Sequence, residues 1–593
     1  KADYQVNKWL KVGANMSYGH FNSNSLSESG DNGSIFATVD IAPIYPMYMR
    51  DANGNIIYDQ NSRMIAYDYG SGKVAPFRAF MPGGNPISDA KLNTDNTEGN
   101  TFNGTGFAEI QLPYGFKFTS INNVYLNESR STSTTNPYFG QYAASNGVVN
   151  KEHDRTWSYN YQQRINWHQV YGKHDIEVML GHEYYRVYGY GLYASKHNQF
   201  SVDNKELAGA VVLDKGNSSM SEYNTESWLS RAMYNYDSRY FGSVSVMRQA
   251  SSRFAKDNWW GTFWSFGAGW NMHKESWFKV NWIDELKLKA SYGENGNDAI
   301  GSYMYTKYFA ISNSNNEVSL TPSSLGNPKI SWEKNGKFNI GVDFSMFRNR
   351  LNGSIEYYNK SGVDLLANTN GVPTEGFGFS TYTMNNGKMR NRGFELTLSG
   401  DVIMGKDWNW NVGGVLGYNK NKVTYVNVKA PAIFLQFDYP AAYPRVGVPY
   451  NAIYGYLWAG LDSKGQPQVY DSEGNIHVSS SPQKVEDAVY LGTSVPVYSG
   501  AINTNLRYKN WELAAQLLFE GGHKMRNTNI AYPGLGVTSK DVSKRWRQPG
   551  DEAYTDVPRY VPSESKDYNS YSSDLYSKAS IHVLDADNWR LKN

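Results

Sequence analysis

The chain has no cysteine in its 593 residues. That excludes a disulfide framework and any thiolate metal site. Charge is scarce as well: charged residues make up 19%, and the formal net charge is +2. No polyanionic partner is implied. Long apolar runs are also missing. The mean hydropathy is −0.60, and no run of about 18 apolar residues occurs, so there is no transmembrane helix. The first residues, Lys1-Ala2-Asp3-Tyr4, show no basic start and no apolar stretch, so no signal peptide is visible. Nor does a linker or a shift in composition divide the chain. Length alone suggests about four ordinary domains of ~150 residues, but one large barrel explains it without boundaries. What is abundant is aromatic: 15% of residues, with 47 Tyr and 17 Trp, beside 55 Gly. Low charge, many aromatics and no hydropathy peak suit an outer-membrane barrel, whose polar lumen dilutes its lipid face. A soluble all-β sandwich or propeller shares that composition.

Residues 156–185 organise the rest. Trp157, Tyr159, Tyr161, Ile165 and Trp167 alternate with Ser158, Asn160, Gln162, Arg164, Asn166 and His168. A side-chain period of two is a strand. A tight turn at 171–175 follows, and a second arm returns. A tilted strand of ~9–11 residues, apolar outside and polar inside, is what a transmembrane β-barrel needs. Residues 10–18 alternate in the same way.

Short turns are expected at Asn7-Lys8, 113–115, 171–175, 236–239, 347–350, 404–407 and 508–510, with a looser one at 277–285. About eight turns give roughly 16 to 17 strands. Long polar connections are expected at 22–105, 128–155, 187–225, 295–330, 362–388, 427–494 and 522–586. Such lengths argue against a compact soluble domain. Short turns at one end and long loops at the other is the outer-membrane pattern. The fold class is therefore all-β: a large transmembrane antiparallel barrel with long extracellular loops. The loops carry turn chemistry, as in Asp51-Ala52-Asn53-Gly54 and Asp471-Ser472-Glu473-Gly474-Asn475. Recurring Tyr, Phe and Ile within them point to ordered loops. The chain closes on Asp587-Asn588-Trp589-Arg590-Leu591-Lys592-Asn593, which reads as a strand cut midway. An open sheet edge does not sit in lipid, so the complete protein is expected to extend beyond both ends.

Several blocks, taken in order, resemble the SusC-like TonB-dependent transporters of Bacteroidota. They are Arg248-Gln249-Ala250-Ser251-Ser252-Arg253-Phe254, Trp260-Gly261-Thr262-Phe263-Trp264-Ser265 with Gly269-Trp270, and Leu286-Lys287-Leu288-Lys289-Ala290-Ser291-Tyr292-Gly293-Glu294-Asn295-Gly296-Asn297. Asn327-Pro328-Lys329-Ile330-Ser331-Trp332-Glu333-Lys334, Asn391-Arg392-Gly393-Phe394-Glu395-Leu396 and Arg545-Trp546 with Pro549-Gly550-Asp551 continue the series. Where the family commonly has Asp-Gly, this chain has Gln249-Ala250. The resemblance spans nearly the whole chain. It implies that residues 1–593 are an incomplete barrel of a protein with roughly 22 strands in all. An N-terminal plug and the last strands are expected outside these residues. The resemblance further implies a SusD-like surface lipoprotein acting as a lid, energy from TonB–ExbB–ExbD, and import of oligosaccharides or oligopeptides. Outer-membrane lipid or lipopolysaccharide around the barrel, and a dimer of transporter–lid pairs, follow as expectations.

Other chemistry fares poorly. Gly70-Ser71-Gly72-Lys73 lacks the glycine spacing and the hydroxyl of a phosphate loop. His153, His168, His174, His182 and His197 share no ligand spacing on one face. No nucleophile–base–acid signature occurs, so neither an enzyme nor a cofactor is expected. Trp259, Trp260 and Trp264 could stack on sugars, but a barrel's interfacial girdle is the plainer role. Tyr45, Tyr48, Tyr58, Tyr439, Tyr443 and Tyr454, all in loops, are the expected ligand or lid contacts. Lys11, Arg164 and His168 are expected on the lumen side. Lys11, Arg164, Lys287 and Lys289 are expected to pair with plug carboxylates rather than with an anionic substrate. The rival readings are a lidless siderophore or vitamin receptor, a passive porin and a barrel-borne adhesin.

Overall fold

A computed structural model describes residues 2–25, 46–60, 63–69, 85–139, 143–370, 381–478, 482–528, 530, 540–562, 565 and 570–592. Its main feature is one antiparallel sheet of 17 strands that meanders in chain order. The strands are β1 (Ala2–Gln5), β2 (Leu10–Asn24), β3 (Thr94–Gln111), β4 (Phe116–Thr135), β5 (Val148–Tyr171) and β6 (His174–Gln199). β7 (Ala210–Tyr236), β8 (Tyr240–Ser251), β9 (Trp260–Asn271), β10 (Ile283–Asn297), β11 (Glu333–Met346) and β12 (Leu351–Asn370) follow. β13 (Thr381–Met404), β14 (Trp408–Val426), β15 (Tyr498–Tyr508), β16 (Trp511–Gly521) and β17 (Asn588–Lys592) complete it. The expected 16 to 17 strands are there. No described helix is long and apolar enough to cross a membrane, which says nothing of crossing by strands.

Register fixes two faces. Trp270 lies opposite Leu288, and the row runs on through Val342, Ile355, Leu396, Leu416, Gly500, Phe519 and Trp589. One residue along each strand, the row is Phe241, Gly269, Lys289, Gly341, Glu356, Glu395, Gly417, Ser499, Glu520 and Asn588. The first row is apolar or aromatic apart from Gly500, and the second carries Lys, Glu, Ser and Asn side chains with glycines and Phe241 between them. Apolar side chains on the first face, such as Ile355, Phe394, Ile502 and Trp589, are exposed in the isolated chain. A contiguous exposed apolar face of this extent needs a nonaqueous neighbour. Lipid on that face and water on the other meet the requirement.

The short-turn rim is aromatic. Tyr236 stacks on Tyr240, Tyr240 on Trp270, Trp282 on Phe347, and Trp408 lies 4.3 Å from Tyr508. Amphipathic rings at a strand end suit a membrane–water interface. The tight turn between β5 and β6 contains Gly172 at φ +62°, which a two-residue hairpin requires.

The opposite end differs from expectation. β6 and β7 are 26 and 27 residues long, so the connection between them shrinks from 187–225 to 200–209. The connection expected at 128–155 shrinks to 136–147, because β4 and β5 pair along their whole length. Where a hairpin rises above lipid, both faces are wet and the apolar period disappears. Asn127–Thr135 is therefore polar on both faces while fully paired. The loose turn sits at 272–282, earlier than expected, because Met272–Lys274 forms a 3-10 turn and β10 resumes at Ile283.

Candidate functional site

The inner face forms a polar wall. Near the short-turn end, His168, Asp175, Glu177, Arg231, Lys287 and Lys289 line a depression of about 440 Å³ with Phe241 and Met233. A second depression of about 650 Å³ carries Glu395, Thr397, Ser499, Glu520, Asn588 and Arg590. Several charged groups in this wall have partners within it. Lys289 Nζ lies 2.8 Å from Asp343 and 3.3 Å from Glu356. His168 Nε2 lies 2.8 Å from Asp175, and Lys11 Nζ lies 3.0 Å from Asp3. Within this chain, wall carboxylates hold Lys11 and Lys289. The Arg164 side chain packs where a Cβ on Gly181 would touch it, and its Nε is buried without a hydrogen-bond partner. Among the described residues no three His, Asp or Glu side chains are placed to hold a metal. Such a wall can hold hydrated polar solutes.

The loop end carries packed structure of its own. Helix α1 (Ile433–Asp438) and short hairpins pack Ile433, Tyr454, Tyr456, Val469, Ala488 and Leu575 into a buried cluster. The hairpins pair Ala452–Gly455 with Val489–Thr493, and Leu457–Leu461 with Pro467–Tyr470. Two arginines bind loop carbonyls there. Arg526 donates to Tyr454 O at 2.5 Å and Ser577 O at 3.2 Å. Arg445 donates to Ala488 O at 2.6 Å and to Val485 O. Asp471 caps its turn by accepting from the backbone of Glu473 and Asn475 at 2.9 and 2.8 Å. The Asn475 side chain and then His477 hold its carboxyl well below the usual range. Asp51 makes the same turn with Asn53 and Asn55, as its sequence announced.

A second cluster, Phe254, Phe263, Ile330 and Trp332, fills the sheet's inner face at the loop end. Trp259, itself exposed, borders it and donates its indole to Phe254 O at 2.8 Å. Trp260 and Trp264 lie on the outer face. Arg248 sits 5.4 Å from Trp260, and Trp264 stacks on Phe266. They have the girdle position rather than a sugar platform.

The expected contact tyrosines scatter. Tyr48 packs on Tyr67 at 5.2 Å. Tyr58 is 60% exposed and donates to Arg63 O. Tyr439 is also 60% exposed, at the end of α1. Tyr443 is half-buried, with its carbonyl accepting from Gln436 at 3.0 Å. Tyr454 is 2% exposed. That expectation is corrected: the alternation of 452–455 turns its ring into the loop core, and burial pushes its hydroxyl up to about 12. Tyr45 lies outside the described residues. Sequence reasoning missed Arg445, Arg526 and Asp89. Asp89, in helix α2 (Pro86–Leu92), is pushed up to about 6 by burial, against a hydrogen bond from Tyr69 at 3.2 Å. Nothing local in the sequence separates these groups from surface charges.

A wide meander with an apolar outside, a polar inside and long loops at one end defines an outer-membrane-type β-barrel. The chain belongs to the family described as TonB dependent receptor-like, beta-barrel, which residues 48–459 match. It is SusC-like within that class. It is 28% identical to the TonB-dependent receptor SusC of Bacteroides thetaiotaomicron, over 73% of this chain and 44% of that protein. It is 24% identical to TonB-dependent receptor P3 of Formosa agariphila, over 96% of this chain and 58% of that protein. The structure of the RagAB peptide transporter superposes with a TM-score of 0.81 at 26% identity, covering 100% of this chain and 64% of that one. The chain spans 39 to 58% of the length of the curated relatives it matches.

Proposed function

We propose that the whole protein is a TonB-dependent importer of oligomeric nutrients, oligosaccharides or oligopeptides, across the outer membrane. A SusD-like lipoprotein serves as its lid. The observation that carries the reading is the polarity of the sheet. One face offers a continuous apolar row to lipid, and the other a polar wall, with Lys289 paired to Asp343 and Glu356, to a solute. Where its charges pair internally, such a wall holds a neutral or zwitterionic polymer weakly, which suits a conduit more than a trap. Specificity then resides in the loops.

Support for a lid comes from the hairpin Tyr308–Ser314 and Glu317–Ser324, which holds Ile311 and Val318 at 77% exposure. Exposed apolar residues on a loop hairpin suit a protein partner. The SusC and RagAB likenesses point the same way. In this reading a plug domain outside the given residues couples TonB to the lumen.

The test is gentle purification of the native complex with mass spectrometry of its proteins and retained ligand, beside uptake assays with and without the proton gradient. A co-eluting lipoprotein and gradient-dependent uptake are expected. The retained ligand, a peptide mixture or a defined glycan, names the substrate class. Uptake that survives loss of the gradient contradicts active import. Absence of any lipoprotein contradicts the lid.

A further inference from the structure

On β13 and β14 the outer face changes character in one step. Leu398 lies opposite Gly414, Leu396 opposite Leu416, and Phe394 opposite Tyr418. The Phe394 and Tyr418 rings stack at 5.5 Å with 20° between planes. The next two pairs are Arg392 with Lys420 and Arg390 with Lys422. Alternation puts all four cations on the lipid-facing side. The residues between them point the other way, where Asn421 Nδ2 donates to Asn391 Oδ1 at 2.8 Å.

Like charges directly opposite on paired strands repel. Here two such pairs sit one above the other. Opposed Cβ atoms are about 5 Å apart and successive same-face residues about 7 Å, so the four charges share a patch the size of one or two phosphates. Other cations on the outer face stand singly: Arg248 lies over the Trp260 ring, and some are neutralised within the chain. Arg186 lies 2.7 Å from Glu222, and Arg130 lies 3.9 Å from both Glu98 and Glu128. Among the described residues, Arg390, Arg392, Lys420 and Lys422 form no ion pair, and Arg392 donates to Asn359 Oδ1 at 3.2 Å. The repulsion is therefore left for something outside the chain to relieve.

We propose that this tetrad binds the phosphate groups of a phosphorylated glycolipid of the surrounding membrane. The glycolipid's acyl chains would lie on Phe394, Tyr418, Leu396 and Leu416. The arginine forks suit phosphate bidentately, and the lysines add compact charge. An apolar ladder directly beneath a cationic one matches an amphiphile, whereas a free anion would use only its upper half. Long aliphatic stems can lie along the aromatic pair while their heads reach the headgroup level. The inference rests on the membrane-spanning reading of the barrel and adds a lipid site to it.

The test uses the full-length protein purified from outer membranes and reconstituted into phosphatidylethanolamine nanodiscs containing bisphosphorylated lipid A. Native mass spectrometry counts the retained lipid A. Wild type is expected to retain it. The variant R390Q/R392Q/K420Q/K422Q is expected to retain about tenfold less or lower still. R186Q, which alters a cation already paired within the chain, is expected to behave as wild type. Wild type offered dephosphorylated lipid A is expected to lose binding equally, an arm that needs no variant to fold. Equal retention by the quadruple variant, or by wild type of the dephosphorylated lipid, overturns the site while leaving the barrel intact. Displacement by millimolar inorganic phosphate overturns the commitment to a lipid. Failure of wild type to enter nanodiscs at all overturns the membrane reading and this site with it.

Discussion

The guanidinium of Arg445 lies over the ring of Tyr454, 4.7 Å from its centroid. The same group donates to Gln436 Oε1 at 3.2 Å and to the carbonyls of Ala488 and Val485. One cation thus ties α1, the 452–455 strand and the 485–488 turn together. Burial lowers its pKa from the ordinary arginine value, and hydrogen bonds and the ring face offset that cost.

Replacing it tests whether the loops form a folded unit. Arg445→Met leaves carbonyls in a dry site without a donor. The loop assembly should lose about 2–4 kcal/mol. Hydrogen exchange should quicken across 430–490 while the barrel strands stay protected. Unchanged exchange there would remove Arg445 from the role.

The two faces of the sheet make a sharper demand. Leu396→Arg puts a charge on the apolar row and should destabilise folding into bilayers by about 2–4 kcal/mol. Thr397→Arg, one residue along, points to the lumen and should cost far less. Urea titrations of folding into lipid vesicles measure both. Equal costs would contradict the assignment of faces.

The aromatic rim is expected to anchor the barrel. Trp408 and Tyr508 lie 4.3 Å apart. Trp408→Ala should reduce stability in bilayers by about 1–3 kcal/mol. The same variant in detergent should lose less, because a micelle has no fixed interface. Stability that falls equally in both media would mark the pair as simple packing.

Asp89 gives one loop a pH dependence. Its carboxyl is pushed up to about 6 in the fold by burial beside Tyr69. A folded-state pKa above the unfolded one means that the fold binds the proton more tightly. The contribution is full below the unfolded value and is lost as pH rises through about 6. Exchange in 46–69 and 85–93, corrected for intrinsic rates, should be slower at pH ~4 than at ~7.5. Asp89→Asn should flatten the profile.

How much of this was legible depends on where water lies. Within lipid, β5 shows Trp157, Tyr161, Ile165 and Trp167 against polar neighbours, and the period of two is plain. Above lipid, strands such as Asn127–Thr135 keep their pairing and lose their apolar face, so the sequence reads as loop. The loop interiors were hardest. Tyr439 and Tyr454 look alike in sequence, yet one is exposed and the other lies in a core assembled from segments more than a hundred residues apart. Arg445 and Arg526 owe their roles to distant carbonyls, which no local pattern records.

The most direct measurement exploits the cysteine-free background. Single cysteines at 354, 355, 356 and 357 on β12 are introduced into the full-length protein in whole cells. They are then reacted with a water-soluble maleimide after outer-loop permeation, and in parallel with a lipid-phase probe. Alternation is expected: Ser354→Cys and Glu356→Cys react from water, and Ile355→Cys and Tyr357→Cys only from lipid. Uniform reaction from water at all four positions would contradict a membrane-spanning barrel, and with it the proposed conduit.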